Sequence, residues 1–174
     1  MKHILITGEI GAGKSTLIRR LLDTVHRPIC GFYTLVRETG RTGEKEFFLH
    51  SARLLPEERF YTPENRIALC THKPVEIYPH VFDCHGVTSL GDPRPGELVV
   101  MDELGFLESR SPLFQQRVLE LLEGDIPVIA AVKSRPDVPF LEAVKSHPKT
   151  TLFHITPHNR EELFATLVPV MEKL

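Results

Sequence analysis

Eight residues near the start of the chain constrain its fold more than any others. Gly8-Glu9-Ile10-Gly11-Ala12-Gly13-Lys14-Ser15 satisfies G-x-x-x-x-G-K-[ST] at each fixed position. Glycines let the backbone turn so that successive N–H groups point inward at phosphate oxygens. A helix that starts where the loop ends adds its positive N-terminal end. Lys14 can then reach β- and γ-phosphates, and the Ser15 hydroxyl can take a Mg²⁺ position. Gly8, Glu9, Ile10, Gly11, Ala12, Gly13, Lys14, Ser15 and Thr16 are therefore the expected nucleotide-binding set. A glycine-rich turn that fits by coincidence is the rival reading. The flanking sequence speaks against it. Ile4-Leu5-Ile6 precedes the loop as a short apolar run, the pattern of a buried parallel strand. Leu17, Ile18, Leu21, Leu22 and Val25 follow as one apolar stripe, which predicts a helix from Ser15 to Val25 with Pro28 as its end.

Leu98-Val99-Val100-Met101 reads as a second buried strand and ends in Asp102-Glu103. Ligands of open α/β sheets bind beyond the carboxyl ends of the strands, which puts both acids beside the loop. Asp102, with Ser15, is the expected metal pair, and Mg²⁺ the expected cofactor. Glu103 can polarise a water for in-line attack on a γ-phosphate. An acid with no part in the chemistry is the alternative for Glu103.

The rest of the pattern is strand–helix alternation. Cys30–Val36 and Glu46–His50 are rich in aromatic and β-favouring residues and read as strands joined by a loop or hairpin. Residues 51–96 hold six of the chain's 14 prolines, which predicts short strands and turns, with Val81-Phe82 pairing at a sheet edge. Ser111 and Pro112 start a helix that buries Phe114, Val118, Leu121 and Leu122 and stops at Gly124. Val128–Val132 and Thr151–Ile155 read as strands, with a short helix near Phe140–Lys145 between them. Asn159 caps a last helix, Glu162 completes a capping box, and Pro169 should kink or shorten it. The expected architecture is one α/β domain over residues 1–174, a three-layer P-loop NTPase fold. Its central sheet is mostly parallel, with added strands from the 31–96 region.

Composition excludes more than it selects. At 174 residues, 41% hydrophobic and 25% charged, the chain has ordinary globular usage. A net charge of −2 gives no global basic field, so nucleic acid is not an expected partner. Residues 1–60 nevertheless carry 10 Lys and Arg against 7 Asp and Glu, which places the basic excess where the phosphate is expected. Three cysteines with no C-x-x-C pair argue against a disulfide framework. No apolar run reaches the roughly 18 residues of a spanning helix. The chain reads as cytoplasmic, with no membrane partner and a protein partner left unspecified. Cys70, His72, His80, Cys84 and His85 invite a zinc reading, but their spacings match no common structural site.

The loop and the acid strand define only the P-loop superfamily. Gly31-Phe32-Tyr33-Thr34, the following Arg37, Gly40, Arg41 and Gly43, Asp102-Glu103-Leu104-Gly105 with Glu108, and Thr156-Pro157-His158-Asn159-Arg160 narrow it. With these segments the chain resembles the small nucleoside-triphosphatases of thermophiles and their human relative, the cancer-related nucleoside-triphosphatase. The resemblance implies a Mg²⁺-dependent hydrolase of ATP, GTP and other nucleoside triphosphates, broad in base preference and slow, with Glu103 activating water.

Several residues stay open at this level. Arg37 and Arg41 lie in a loop after a strand and are candidate catalytic residues beside Lys14 and Glu103, either able to neutralise transition-state charge. Solvated loop charge is the equal alternative. Asn159 and Arg160 are candidate nucleotide-binding residues for base or ribose, with a capping role favoured for Asn159. A nucleotide or small-molecule kinase on the same fold is one rival function. A nucleotide-sensing module that binds without turnover as its purpose is the other.

Overall fold

The computed structural model describes residues 3–71 and 75–174. Eight strands form one sheet: β1 (His3–Gly8), β2 (Ile29–Glu38), β3 (Lys45–Ser51), β4 (Arg66–Cys70), β5 (Glu76–Ile77), β6 (Leu98–Leu104), β7 (Val128–Lys133) and β8 (Thr150–His154). Their order is β5-β4-β3-β2-β6-β7-β1-β8. The pairs β2–β6, β6–β7, β7–β1 and β1–β8 are parallel, and β2–β3–β4–β5 is an antiparallel meander on one edge. The mostly parallel sheet with added strands is thus as the sequence predicts.

The parallel strands are apolar because helices cover both faces. On one face α1 (Lys14–Leu22) and α6 (Arg160–Met171) bury Leu17, Ile18, Leu21, Leu163, Leu167 and Met171 over Ile4, Ile6, Val100 and Ile129. On the other, α4 (Pro112–Glu123) and α5 (Pro139–Lys145) bury Phe114, Val118, Leu122, Leu141 and Val144 over Leu5, Val99, Met101 and Ala130. Alternate residues of each strand serve opposite cores.

Four sequence expectations need correction. Val81-Phe82 is helical, not a sheet edge: α2 (Pro79–Val81), a π-helical turn (Phe82–Gly86) and α3 (Val87–Leu90) run on without a break. The prolines frame this helix, with Pro79 at its first position, and Val81, Phe82, Gly86, Ser89 and Leu90 are its buried side. A Cβ on Gly86 would lie 2.8 Å from the Phe114 ring, so this close approach to α4 requires glycine. Helix α1 ends at Leu22, short of Val25, where the Thr24 hydroxyl donates to Leu21 O at 2.7 Å and closes the turn.

The two predicted caps act differently from expectation. Ser111 occupies the position before α4, but its hydroxyl donates to Pro79 O, and the Phe114 N–H is accepted by Asp83 Oδ1 at 3.0 Å. The neighbouring helix thus supplies the cap. Asn159 precedes α6 without capping it. Its Oδ1 accepts from Thr156 N at 2.7 Å and its Nδ2 donates to His154 O at 2.9 Å, so it folds the preceding turn instead.

Candidate active site

Strand β1 delivers the chain to Gly8 at the carboxyl edge of the sheet, between β7 and β8. There a Cβ would stand 2.4 Å from Ile155 O, so only glycine lets the loop leave the sheet beside β8. Gly13 (φ 102°) turns the loop into α1 from the left-handed region. The loop is also held from outside. Arg160, at the start of α6, donates from Nε to Ala12 O at 2.7 Å and from an Nη to Gly11 O at 3.0 Å. Within the loop the Ala12 N–H donates to Glu9 O at 3.1 Å.

Lys14 is buried and donates to Gly8 O and Glu9 O, both at 3.1 Å, across the mouth of its own loop. Its Nζ also stands 3.3 Å from Glu103 Oε1, an ion pair without hydrogen-bond alignment, since that oxygen has no hydrogen-bond donor among the described residues. A phosphate oxygen would offer Lys14 the same kind of anionic partner.

Ser15 Oγ donates to Asp102 Oδ1 at 2.7 Å, joining the helix start to the end of β6. Asp102 is 2% exposed, and burial pushes its pKa up while the Ser15 hydroxyl opposes the shift. A buried carboxylate beside a hydroxyl is a set of hard oxygen donors that a divalent cation would relieve, so the residues present fit Mg²⁺.

Glu103 lies one residue on, where the β6–β7 register shifts between Asp102 and Leu104. It is flanked by two cations, Lys14 and Lys133, the latter with Nζ 3.9 Å from Oε2. Lys133 ends β7, opposite Gly8 in register, and its Nζ lies 5.7 Å from the centre of the Phe106 ring. The sequence reading missed Lys133. Its signal was faint: a lone lysine closing the apolar run Val128–Val132 at the edge where ligands bind. Glu108 was quoted without a role, and it is fully buried. It accepts from Gly105 N at 2.5 Å, and burial raises its pKa to about 7, against the pull of that N–H and of Lys133.

Ile10, Gly11, Gly13, Lys14, Ser15, Thr16, Phe47, Glu103 and Lys133 line an open cleft of about 510 Å³ over the loop. A smaller cavity of about 180 Å³ lies behind it, on the other side of Glu103. Neither space is lined by Arg37 or Arg41. Strand alternation turns Thr34 and Val36 toward the smaller cavity, so Arg37 faces the other way, 5.8 Å from the Tyr61 ring centre. Arg41 is exposed and pairs with Glu44 at 3.8 Å. Asn159 and Arg160 do not line the cleft either: the first folds a turn and the second holds the loop.

For the zinc reading, His72 lies outside the described residues. Cys70 ends β4, while His80, Cys84 and His85 sit on the α2–α3 helical run. Among the described residues no three of His, Cys, Asp and Glu stand close enough together to hold a metal. None of the described helices is long and apolar enough to cross a membrane.

A family model described as NTPase matches residues 3–168. The chain is 30% identical to Nucleoside-triphosphatase THEP1 of Thermotoga maritima, over 97% of this chain and 95% of that protein. It is 28% identical to the cancer-related nucleoside-triphosphatase homolog of Bos taurus, over 98% of this chain and 97% of that one. The crystal structure of THEP1 from Aquifex aeolicus superposes with a TM-score of 0.70 at 21% identity, covering 98% of this chain and 99% of that one, which shows a shared fold. Matched along almost its whole length, the chain belongs to the NTPase family that includes the THEP1 nucleoside-triphosphatases.

Proposed function

We propose that this protein hydrolyses nucleoside triphosphates, ATP and GTP among them, to diphosphate and phosphate in a slow, Mg²⁺-dependent reaction. The observation that carries the reading is the convergence of Lys14, Ser15 and Glu103 on one cleft, with Asp102 bonded to Ser15 in the adjoining cavity. The loop N–H groups and Lys14 bind and orient the β- and γ-phosphates. Ser15 and Asp102 would hold Mg²⁺, which when bound neutralises charge on phosphate oxygens. The Glu103 carboxylate, which lines both the cleft and the smaller cavity, accepts the proton of the attacking water. Lys133 faces the same point from the other side and stabilises charge on the γ-phosphoryl oxygens, the part the sequence reading gave to Arg37 and Arg41.

Broad base preference is what the family resemblance implies, and it belongs to this proposal. Slow turnover follows from a lysine in place of the planar arginine fork that accelerates related reactions. A reducing, cytoplasmic setting suits three free cysteines and a triphosphate substrate.

The test is phosphate release from ATP, GTP, CTP and UTP with Mg²⁺ and no added acceptor. All four should release phosphate within about tenfold of one another, and chelation should stop it. Triphosphate binding with no release until an acceptor is added would overturn the hydrolase reading.

A further inference from the structure

We propose that the smaller cavity behind Glu103 binds a neutral alcohol with a compact apolar body and presents its hydroxyl for γ-phosphoryl transfer. The proposal rests on the hydrolase reading, since it uses the same bound triphosphate and the same Glu103.

Size is the first argument. The attacking water of a hydrolase occupies about 30 Å³, whereas this cavity offers about 180 Å³, with the Ser15–Asp102 pair that would hold Mg²⁺ at one side and the apolar wall free beyond it. An apolar cavity of about 150 Å³ is known to hold benzene, so the space suits a ring or branched chain of roughly eight non-hydrogen atoms. Chemistry of the walls is the second. Val36, Phe47, Ile67, Phe82 and Leu107 make one side apolar. Ser15, Thr34 and the carboxyl groups of Asp102, Glu103 and Glu108 make the other side polar, and Lys133 is the one cation lining it among the described residues. The Glu103 carboxylate on the wall opposes a phosphate or carboxylate on the ligand, and among the described residues no arginine lines the space to receive one. That favours an uncharged hydroxyl compound over a nucleoside monophosphate.

Placement is the third argument. The two spaces share Ser15, Phe47, Glu103 and Lys133, so Glu103 and Lys133 stand on the seam between them. A γ-phosphate over the loop would have the alcohol oxygen on its open side. Glu103 lines both spaces, and its carboxylate can accept the hydrogen bond of an alcohol O–H held in the smaller one. In the transfer, the hydroxyl proton passes to the Glu103 carboxylate as the alcohol oxygen bonds to the γ-phosphorus. The bond from that phosphorus to the β–γ bridging oxygen breaks, its electron pair leaves with the nucleoside diphosphate, and the product is a phosphate monoester. With water in the same place, the identical step yields phosphate.

Benzyl alcohol is the probe. Its binding to the protein alone is followed by ligand-observed NMR. Its phosphorylation, with ATP and Mg²⁺, is followed by ³¹P NMR, which separates benzyl phosphate from inorganic phosphate. Val36→Phe narrows the cavity from a strand position that is 53% exposed, so folding is not at stake. Wild type should bind benzyl alcohol saturably and divert part of the phosphoryl flux into benzyl phosphate. Val36→Phe should cut ester formation more than tenfold while phosphate release stays within about twofold. Phosphate release with no ester, whether or not benzyl alcohol binds, overturns this proposal and leaves the hydrolase reading standing. Neither phosphate nor ester from bound ATP overturns both.

Discussion

Glu103 stands between two lysines that differ in what else holds them. Lys14 has two carbonyl partners from its own loop, while Lys133 has, among the described residues, Glu103 as its ion-pair partner and the nearby Phe106 ring. Lys133 is therefore the cation freer to follow charge as it develops on the γ-phosphoryl group. Lys133→Met keeps most of the stem and removes the charge. Steady-state kinetics should show kcat falling by about 10²-fold with a smaller change in KM, the pattern of a contact made in the transition state. Arg37→Ala and Arg41→Ala should each stay within about threefold of wild type, because Arg37 faces Tyr61 and Arg41 faces solvent. A large loss in either arginine variant with none in Lys133→Met would reverse the assignment. The loop position expected for both arginines holds for Arg41 alone: Arg37 lies in β2 and pairs with Glu46 of β3. Its charge is visible in the residue order, but the side of β2 that faces the cleft is fixed only by its pairing with β6.

Among the elements, those with strong local signals were legible. The apolar run, glycine loop and amphipathic stripe from Ile4 to Leu22 each follow from adjacent residues. The α2–α3 helix was not legible, because Pro79 reads as a breaker in a window but as a first helical residue once the packing on Phe114 is known. The 3₁₀ turn Leu107–Arg110 that follows β6 carries the buried Glu108 under Glu103. Its effect on stability is testable. A carboxyl normally near 4.5 that is raised to about 7 in the fold is protonated in the native state where the unfolded chain has already released its proton. Stability from this group is thus present below pH 4.5 and is lost as pH rises through 7. The loss is on the order of 3 kcal/mol. Glu108→Gln keeps an acceptor for the Gly105 N–H and has no proton to release. Urea unfolding at pH 5 and pH 8 should show a markedly smaller drop for the variant than for wild type. Equal drops would show that Glu108 does not titrate in this window.

At the scale of the whole molecule, the site exists because β7 lies between β1 and β6. That order sets the phosphate loop, Lys133 and the Asp102-Glu103 pair side by side, although residues 14, 102 and 133 are far apart in the chain. The loop and the acid pair were legible because each is contiguous and punctuates an apolar strand. Lys133 was not, since its place depends on strand order, and the smaller cavity was not, since it closes only when β2, β3, β4 and the π-helical turn meet β6. The central claim is that Glu103 takes the proton of the attacking water, and its most direct test compares adjacent carboxylates. For Glu103→Gln, single-turnover phosphate release should fall by roughly 10²–10⁴, the worth of a positioned base, with triphosphate affinity near that of wild type. Asp102→Asn should lose affinity as well as turnover, because it removes a carboxylate that would hold Mg²⁺. Turnover of Glu103→Gln within a few-fold of wild type would contradict the account.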